Sequence, residues 1–244
     1  MQRSIRLDRY LTHIGIGSRR EVLKLINSGI VKVNGKRVLD PSFKVNPAQD
    51  TVEVEGYIKK SFQSNFYYKF YKPKGYITST KDKEQTLFDC LPKDLPGLKR
   101  LFPAGRLDKD AEGLVILTTD GELAHRIMHP KWKLEKRYEA LIDKPLAEED
   151  VKRLEEGVDL SDGKTLPARI TLLNEDKTFV EVAVREGRYH LIKRMFGKLG
   201  YRVVGLKRIA IGPITLGDLK PGEVRAISQD ELEELRCLLK LKNS

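Results

Sequence analysis

Cysteine is almost absent from this chain of 244 residues: its two examples, Cys90 and Cys237, lie far apart and in no C-x-x-C pair. Neither a disulfide framework nor a zinc site is indicated, and reduced thiols in a cytosolic protein fit best. His125, His129 and His190 supply no metal set either, because no acidic third ligand stands at a useful spacing. Long apolar runs are also lacking. The start, Met-Gln-Arg-Ser-Ile-Arg, has no apolar stretch of signal length, and no run approaches a membrane span. There is no Walker loop, no dinucleotide glycine fingerprint, no H-E-x-x-H, no fixed-period repeat and no low-complexity tract. The expectation is a cytoplasmic monomer without cofactor, metal or membrane partner.

Positive charge is what the chain has in excess. It holds 46 Lys and Arg against 35 Asp and Glu, a formal net charge of +11. The excess is localised. Residues 1–37 carry nine basic and two acidic side chains, and residues 185–208 carry eight and one. The remainder is slightly acidic. Two basic blocks on a nearly neutral body fit a polyanionic partner better than two solvated faces. The apolar share of 40% can build a real core, and the length allows one large domain, alone or with a small one.

The local pattern favours two parts. Residues 1–58 read as a small module. Ile5, Leu7, Tyr10 and Leu11 lie near helical spacing, Ser18 is placed to cap a second helix, and Gly29 is placed to end it. A strand, an Asn34-Gly35 turn and another strand follow, and Thr51-Val-Glu-Val-Glu alternates. Residues 59–65 are polar and read as a linker, with Phe62 free to dock on either side. Residues 66–244 form the larger part. Strands are expected at 66–71, 114–117, 138–142 and 179–184, with short strands filling 202–227. Helices are expected at 121–128, 148–156, 189–199 and 230–239. Uneven loops between the strands argue for an α+β domain rather than a doubly wound sheet.

The most informative stretch is Gly105-Arg106-Leu107-Asp108, followed by Lys-Asp-Ala-Glu-Gly-Leu-Val-Ile-Leu-Thr-Thr-Asp-Gly. Leu114–Leu117 is too short for a helix and stops at Asp120-Gly121, so it reads as a buried strand. Asp108 is then an acid on a short loop anchored by a core strand. On these residues alone it is either a turn cap or a positioned nucleophile.

Longer motifs say more. Gly-Arg-Leu-Asp-x-x-x-x-Gly-Leu, Glu-Leu-Ala-His-Arg-Ile-Met-His-Pro at 122–130, and Glu-Gly-Arg-Tyr-His-Leu-Ile-Lys-Arg-Met-Phe at 186–196 together resemble the pseudouridine synthases. The stretch from Leu206 to Arg225 extends the likeness over most of the chain. Within that superfamily the chain is most similar to the RsuA type, which acts on ribosomal RNA of the small subunit. Two positions depart from the pattern: Ala111 stands where Thr is usual, and Leu191 where Gln is usual. Residues 1–58 resemble the α-L RNA-binding module of a small-subunit ribosomal protein and some tRNA synthetases. That likeness rests on Arg6-Leu-Asp-Arg-Tyr-Leu, Ser18-Arg-Arg-Glu and Gly29-x-Val-x-Val-Asn-Gly.

The resemblance implies a small RNA-binding module joined to an α+β catalytic domain on a largely antiparallel mixed sheet. It implies ribosomal RNA as partner and one uridine, in helix 18 of 16S ribosomal RNA, as target. The Tyr189-His190 pair carries the small-subunit choice, since large-subunit enzymes tend to have Asn-Arg there. A 23S uridine is the nearest rival. A non-catalytic RNA-binding assembly factor is the rival from another class.

Making pseudouridine breaks the bond from C1′ to N1, rotates the base and joins C1′ to C5. Nothing is oxidised, so no cofactor is required. The reaction needs an ionised carboxylate, either to attack C1′ or to assist departure of the base as a glycal forms. By resemblance Asp108 is that acid. Lys193 is its basic partner, with Arg194 the alternative; the two point about 100° apart on a helix, so one faces the acid. Tyr138 resembles the active-site tyrosine that stacks on the extruded base. Arg106, on the same side of an extended loop as Asp108, resembles the residue that fills the gap left in the RNA stack. Arg188 joins Arg194 as a candidate for RNA contact. In the module, Arg6, Arg9, Arg19, Arg20, Lys24, Lys32, Lys36 and Arg37 are the candidates for phosphate contact.

Overall fold

The structure, a computed structural model, describes residues 4–14, 16–47, 49–55 and 65–241. The expected linker, Phe62 included, falls almost wholly outside the described residues. The chain divides into two compact units, residues 1–64 and 65–244.

In the first unit β1 (Ile5–Arg6) leads into α1 (Leu7–His13) and α2 (Arg19–Asn27). Ser18 caps α2 as expected. Its hydroxyl accepts the Glu21 N–H at 3.3 Å, and its own N–H donates to the Glu21 carboxylate at 2.7 Å. The hairpin of β2 (Val31–Val33) and β3 (Lys36–Arg37) turns at Asn34 and Gly35, whose φ angles of 51° and 75° suit a type I′ turn. β4 (Lys44–Val45) pairs with β1, and β5 (Val52–Val54) with β2. Leu7, Leu11, Val22, Ile26 and Val31 are fully buried between helices and strands.

The second unit runs β6 (Tyr67–Lys72), β7 (Phe102–Pro103), β8 (Glu112–Thr118), α3 (Gly121–Met128), β9 (Lys136–Ile142) and α4 (Glu148–Glu156). A small hairpin of β10 (Asp159–Leu160) and β11 (Gly163–Lys164) follows, then β12 (Arg169–Leu172), β13 (Phe179–Val184) and α5 (Leu191–Lys198). β14 (Val203–Ile211), β15 (Ile214–Thr215), β16 (Val224–Ala226) and α6 (Gln229–Leu238) complete it. The main sheet has nine strands, in the order β12-β13-β9-β14-β8-β6-β16, with β15 beside β14 and β7 beside β8. Its pairs are antiparallel except β14 with β8. The domain is α+β on a largely antiparallel mixed sheet.

β8 reads as an unbroken apolar run because both of its faces are covered. Val115 and Leu117 share one core with Met195 and Phe196 of α5. Leu114 and Ile116 share the other with Leu123 and Ile127 of α3 and Leu235 of α6. Gly113 is fixed by the parallel neighbour. At φ 109°, a Cβ there would lie 2.3 Å from the Arg208 carbonyl oxygen. The glycine after Asp108 therefore lets β8 and β14 meet just where the acid's loop enters the sheet.

Three expectations are corrected. Residues 202–227 hold a nine-residue strand, β14, not only short ones. Its register shifts at Val203/Gly205 and at Arg208/Ala210, and such bulges blur an alternating pattern. α5 begins at Leu191 rather than Tyr189, because His190 sits at φ 48°, left-handed, and cannot continue a right-handed helix. The β10–β11 hairpin and β12 were not expected. Strands of two residues carry no readable period.

Candidate active site

The loop from Gly105 to Asp110 joins β7 to β8, and its backbone is held from three sides. The Thr78 hydroxyl, buried, donates to the Leu107 carbonyl at 2.6 Å and accepts the Leu107 N–H at 3.1 Å. The Arg208 guanidinium, 3% exposed, donates to the carbonyls of Leu114 at 2.7 Å and Arg106 at 3.2 Å. Lys72, fully buried at the end of β6, donates to the carbonyls of Pro73 and Tyr76, both at 2.9 Å, and of Lys109 at 3.4 Å. The Gly75 N–H adds 2.7 Å to the Lys109 carbonyl. With Arg106, Leu107 and Lys109 tied down and Leu107 buried, the Asp108 side chain keeps about a quarter of its surface in solvent.

Two nitrogen bases flank that carboxylate. His190 Nε2 lies 3.5 Å from one oxygen and Lys193 Nζ lies 3.6 Å from the other. Lys193 also pairs with Asp110 at 2.5 Å, and that bond holds the Asp110 carboxyl below its ordinary range. Burial pulls Lys72 down to about 8; the charges of Asp108 and Asp110 oppose that shift and Arg208 adds to it. Tyr138, 9% exposed on β9, shares a core with Leu107. Arg208 lies over its ring, 6.0 Å from the centroid, so one buried guanidinium links Tyr138 to the backbone of Arg106.

This arrangement presents one oriented carboxylate, flanked by nitrogen bases and reachable by a substrate. Residues 67–198 match the RNA pseudouridylate synthase family, and residues 5–52 match the S4 domain. The chain belongs to the RNA pseudouridine synthases. An uncharacterized RNA pseudouridine synthase of Aquifex aeolicus (strain VF5) is 44% identical over 243 residues, 98% of this chain and 96% of that one. The ribosomal large subunit pseudouridine synthase B of Bacillus subtilis (strain 168) is 37% identical over 238 residues, 96% of each chain. A crystal structure of a pseudouridylate synthase, 35% identical, aligns with a TM-score of 0.70 over 95% of this chain and 100% of its own.

Within this synthase the neighbours Lys193 and Arg194 part company. Lys193 faces Asp108. Arg194 bonds both carboxylate oxygens of Asp162, one of them at 3.0 Å, and the Tyr189 carbonyl at 3.2 Å. Arg188 donates to Glu186 at 2.8 Å, to the Asp162 carboxylate at 3.0 Å and to the carbonyls of Gly163 and Lys164. Both guanidiniums thus staple the β10–β11 turn. The Arg106 side chain is exposed. In the small unit Arg6 forks onto Asp8 with two bonds of 3.0 Å, and Lys32 lies 3.8 Å from Glu55. Arg9, Arg19, Arg20, Lys24, Lys36 and Arg37 are exposed. The two departures from the family pattern, Ala111 and Leu191, are both buried in the core behind the site.

Sequence reasoning misses Lys72, Thr78 and Arg208, and takes His190 as a rejected metal ligand and as half of the Tyr189-His190 pair, not as a neighbour of Asp108. A signal was present for two of them. Tyr68, Phe70 and Lys72 alternate inward on β6, and Leu206, Arg208 and Ala210 do so on β14. A charged residue in phase with core positions marks a buried cation. Among the described residues no group of three His, Cys, Asp or Glu is placed to hold a metal ion. Nor is any described helix long and apolar enough to cross a membrane.

Proposed function

We propose that this chain isomerises one uridine of 16S ribosomal RNA, in helix 18, to pseudouridine, with Asp108 as the reacting carboxylate. The observation that carries this reading is the Asp108 side chain, set on a loop with its backbone bonded and flanked by Lys193 and His190. The target uridine leaves its stack to reach the acid. Arg106, exposed two residues before Asp108, enters the gap. Tyr138 meets the extruded base with its ring. Asp108 either bonds to C1′ as the uracil leaves or assists departure as a glycal forms. Lys193, 3.6 Å away, is the counter-charge that aims the acid. The uracil turns, and C5 displaces the carboxylate from C1′, or adds to the glycal as C2′ regains its proton; C5 then gives up its proton and N1 takes one, so the product is an isomer of the substrate. The basic small unit holds phosphates of the same RNA and acts on affinity and orientation. The synthase works as a monomer in the cytoplasm on this reading.

The small-subunit target rests on Tyr189-His190, which fits the RsuA type. A second reading, a uridine in 23S ribosomal RNA, is favoured by the Bacillus subtilis relative named for the large subunit. The test is to map pseudouridines in both ribosomal RNAs by carbodiimide-primer extension, with and without the protein. The purified protein and Asp108→Asn are then assayed on the RNA so found. Asn is close in shape but cannot supply the anion, so turnover should vanish while RNA binding persists. Turnover by pure Asp108→Asn rules out the assigned role. A pseudouridine missing from 23S alone replaces the first reading with the second.

A further inference from the structure

Among the described residues, Tyr189 is the most open of the large exposed hydrophobic and aromatic side chains, with 71% of its surface in solvent. It is nonetheless held in place. Its ring stacks on His190, with centroids 3.8 Å apart and planes 17° from parallel. Its carbonyl accepts from Arg194 at 3.2 Å, and the next residue, His190, is fixed in a left-handed conformation at the start of α5. His190 in turn stands 3.5 Å from the Asp108 carboxylate. A rigid aromatic face therefore opens to solvent one imidazole away from the reacting acid.

We propose that Tyr189 is a stacking platform for an unpaired nucleobase adjoining the target uridine. The inference rests on the reading of Asp108 as the place where the uridine reacts. An aromatic ring accepts the π face of any base, and RNA readers commonly take splayed bases in this way. The target base is not the occupant on this reading, because its C1′ must reach Asp108 and Tyr138 meets its ring. The open face of Tyr189 is the one turned away from His190, the residue that stands beside the acid. A flanking nucleotide spans that offset. A preformed platform also loses little freedom on binding, because His190 has already fixed the ring. Tyr189 is thus a positioning residue: it holds the neighbour so that the extruded uridine meets the carboxylate.

The test compares wild type, Tyr189→Phe and Tyr189→Ala on the folded RNA substrate. Each of the two nucleotides on either side of the target is replaced in turn by an abasic ribose. Both the specificity constant and the equilibrium Kd are measured. On intact RNA, Tyr189→Ala should lose about tenfold in affinity and in specificity constant, and Tyr189→Phe should stay within about twofold of wild type. At one flanking position the abasic substitution should cost wild type a similar factor and cost Tyr189→Ala nothing further. Equal penalties for wild type and Tyr189→Ala at all four positions would overturn the proposal, as would an unaffected Tyr189→Ala. If wild type shows the coupling in Kd but makes no pseudouridine, the platform stands and the reading of Asp108 fails.

Discussion

Replacing Lys193 by Met tests how the acid is held. Lys193 Nζ and the nearer Asp108 oxygen are 3.6 Å apart, and each side chain keeps about a quarter or less of its surface exposed. At an effective dielectric of about 20, opposite unit charges at that distance attract by roughly 4–5 kcal/mol. The full amount is not at stake. Lys193 divides its charge between Asp108 and the more exposed Asp110, and His190 remains beside the other Asp108 oxygen. A loss of about 2–3 kcal/mol is the reasonable residue, or roughly 30- to 150-fold in kcat. Met keeps most of the side-chain length and the packing of the stem. RNA affinity should therefore change by no more than a few fold. Arg194→Met supplies the contrast. Its guanidinium binds Asp162 and the Tyr189 carbonyl, so its loss loosens the β10–β11 turn and leaves the Asp108 pair intact. Single-turnover rates at saturating enzyme separate the chemical step from binding. If Arg194→Met slows that step more than Lys193→Met does, the assignment of Lys193 as counter-charge is refuted.

Two further outcomes follow from charges elsewhere in the chain. Substituting Arg19, Arg20, Lys24 and Lys36 by Ala should flatten the plot of log binding constant against log salt by up to about 0.9 for each phosphate no longer neutralised, or about 0.7 on unpaired RNA; an unchanged slope would show that this face does not hold the substrate. Lys72 titrates at about 8 in the folded chain and at about 10.4 when unfolded, so the unfolded state binds more protons between those values and this group adds stability as pH rises through that window. Urea midpoints from pH 7 to 10 should therefore climb less steeply in Lys72→Met than in wild type, and parallel curves would show that Lys72 is not depressed.

Much of the architecture was legible because local signals agreed with the fold. Ser18 with Glu21, and Asn34 with Gly35, are short-range devices whose geometry is set by the residues themselves. The helices at Gly121–Met128 and Glu148–Glu156 have apolar positions at one period and clear stops. What escaped depended on partners far along the chain. Lys72 is buried because carbonyls from its own turn and from Lys109 converge on it. Arg208 serves Arg106 and Leu114, some hundred residues away. His190 gains its meaning only when α5 brings it to Asp108. The acid itself stood out from sequence through its motif; its electrostatic setting did not, because three separate segments create it.

The two basic blocks, equal in net charge by sequence, do different work in the fold. In residues 185–208, Arg188 and Arg194 are bound to Asp162, Arg185 lies 3.5 Å from Glu135, and Lys207 lies 3.4 Å from Glu139. Lys193 belongs to Asp108 and Asp110, and Arg208 is buried. Most of that block's cations are committed to acids or carbonyls of the chain, where they shape the site. In residues 1–37 Arg6 and Lys32 stand in ion pairs, with Asp8 and Glu55, and the other six candidates are exposed. Exposed cations release counterions when they meet phosphate, whereas cations already paired release few. The salt dependence of RNA binding should therefore arise mainly from the first block, and the rate of the chemical step mainly from the second. Net charge per segment finds both blocks; the identity of each partner separates the exposed cations of the first from the committed cations of the second.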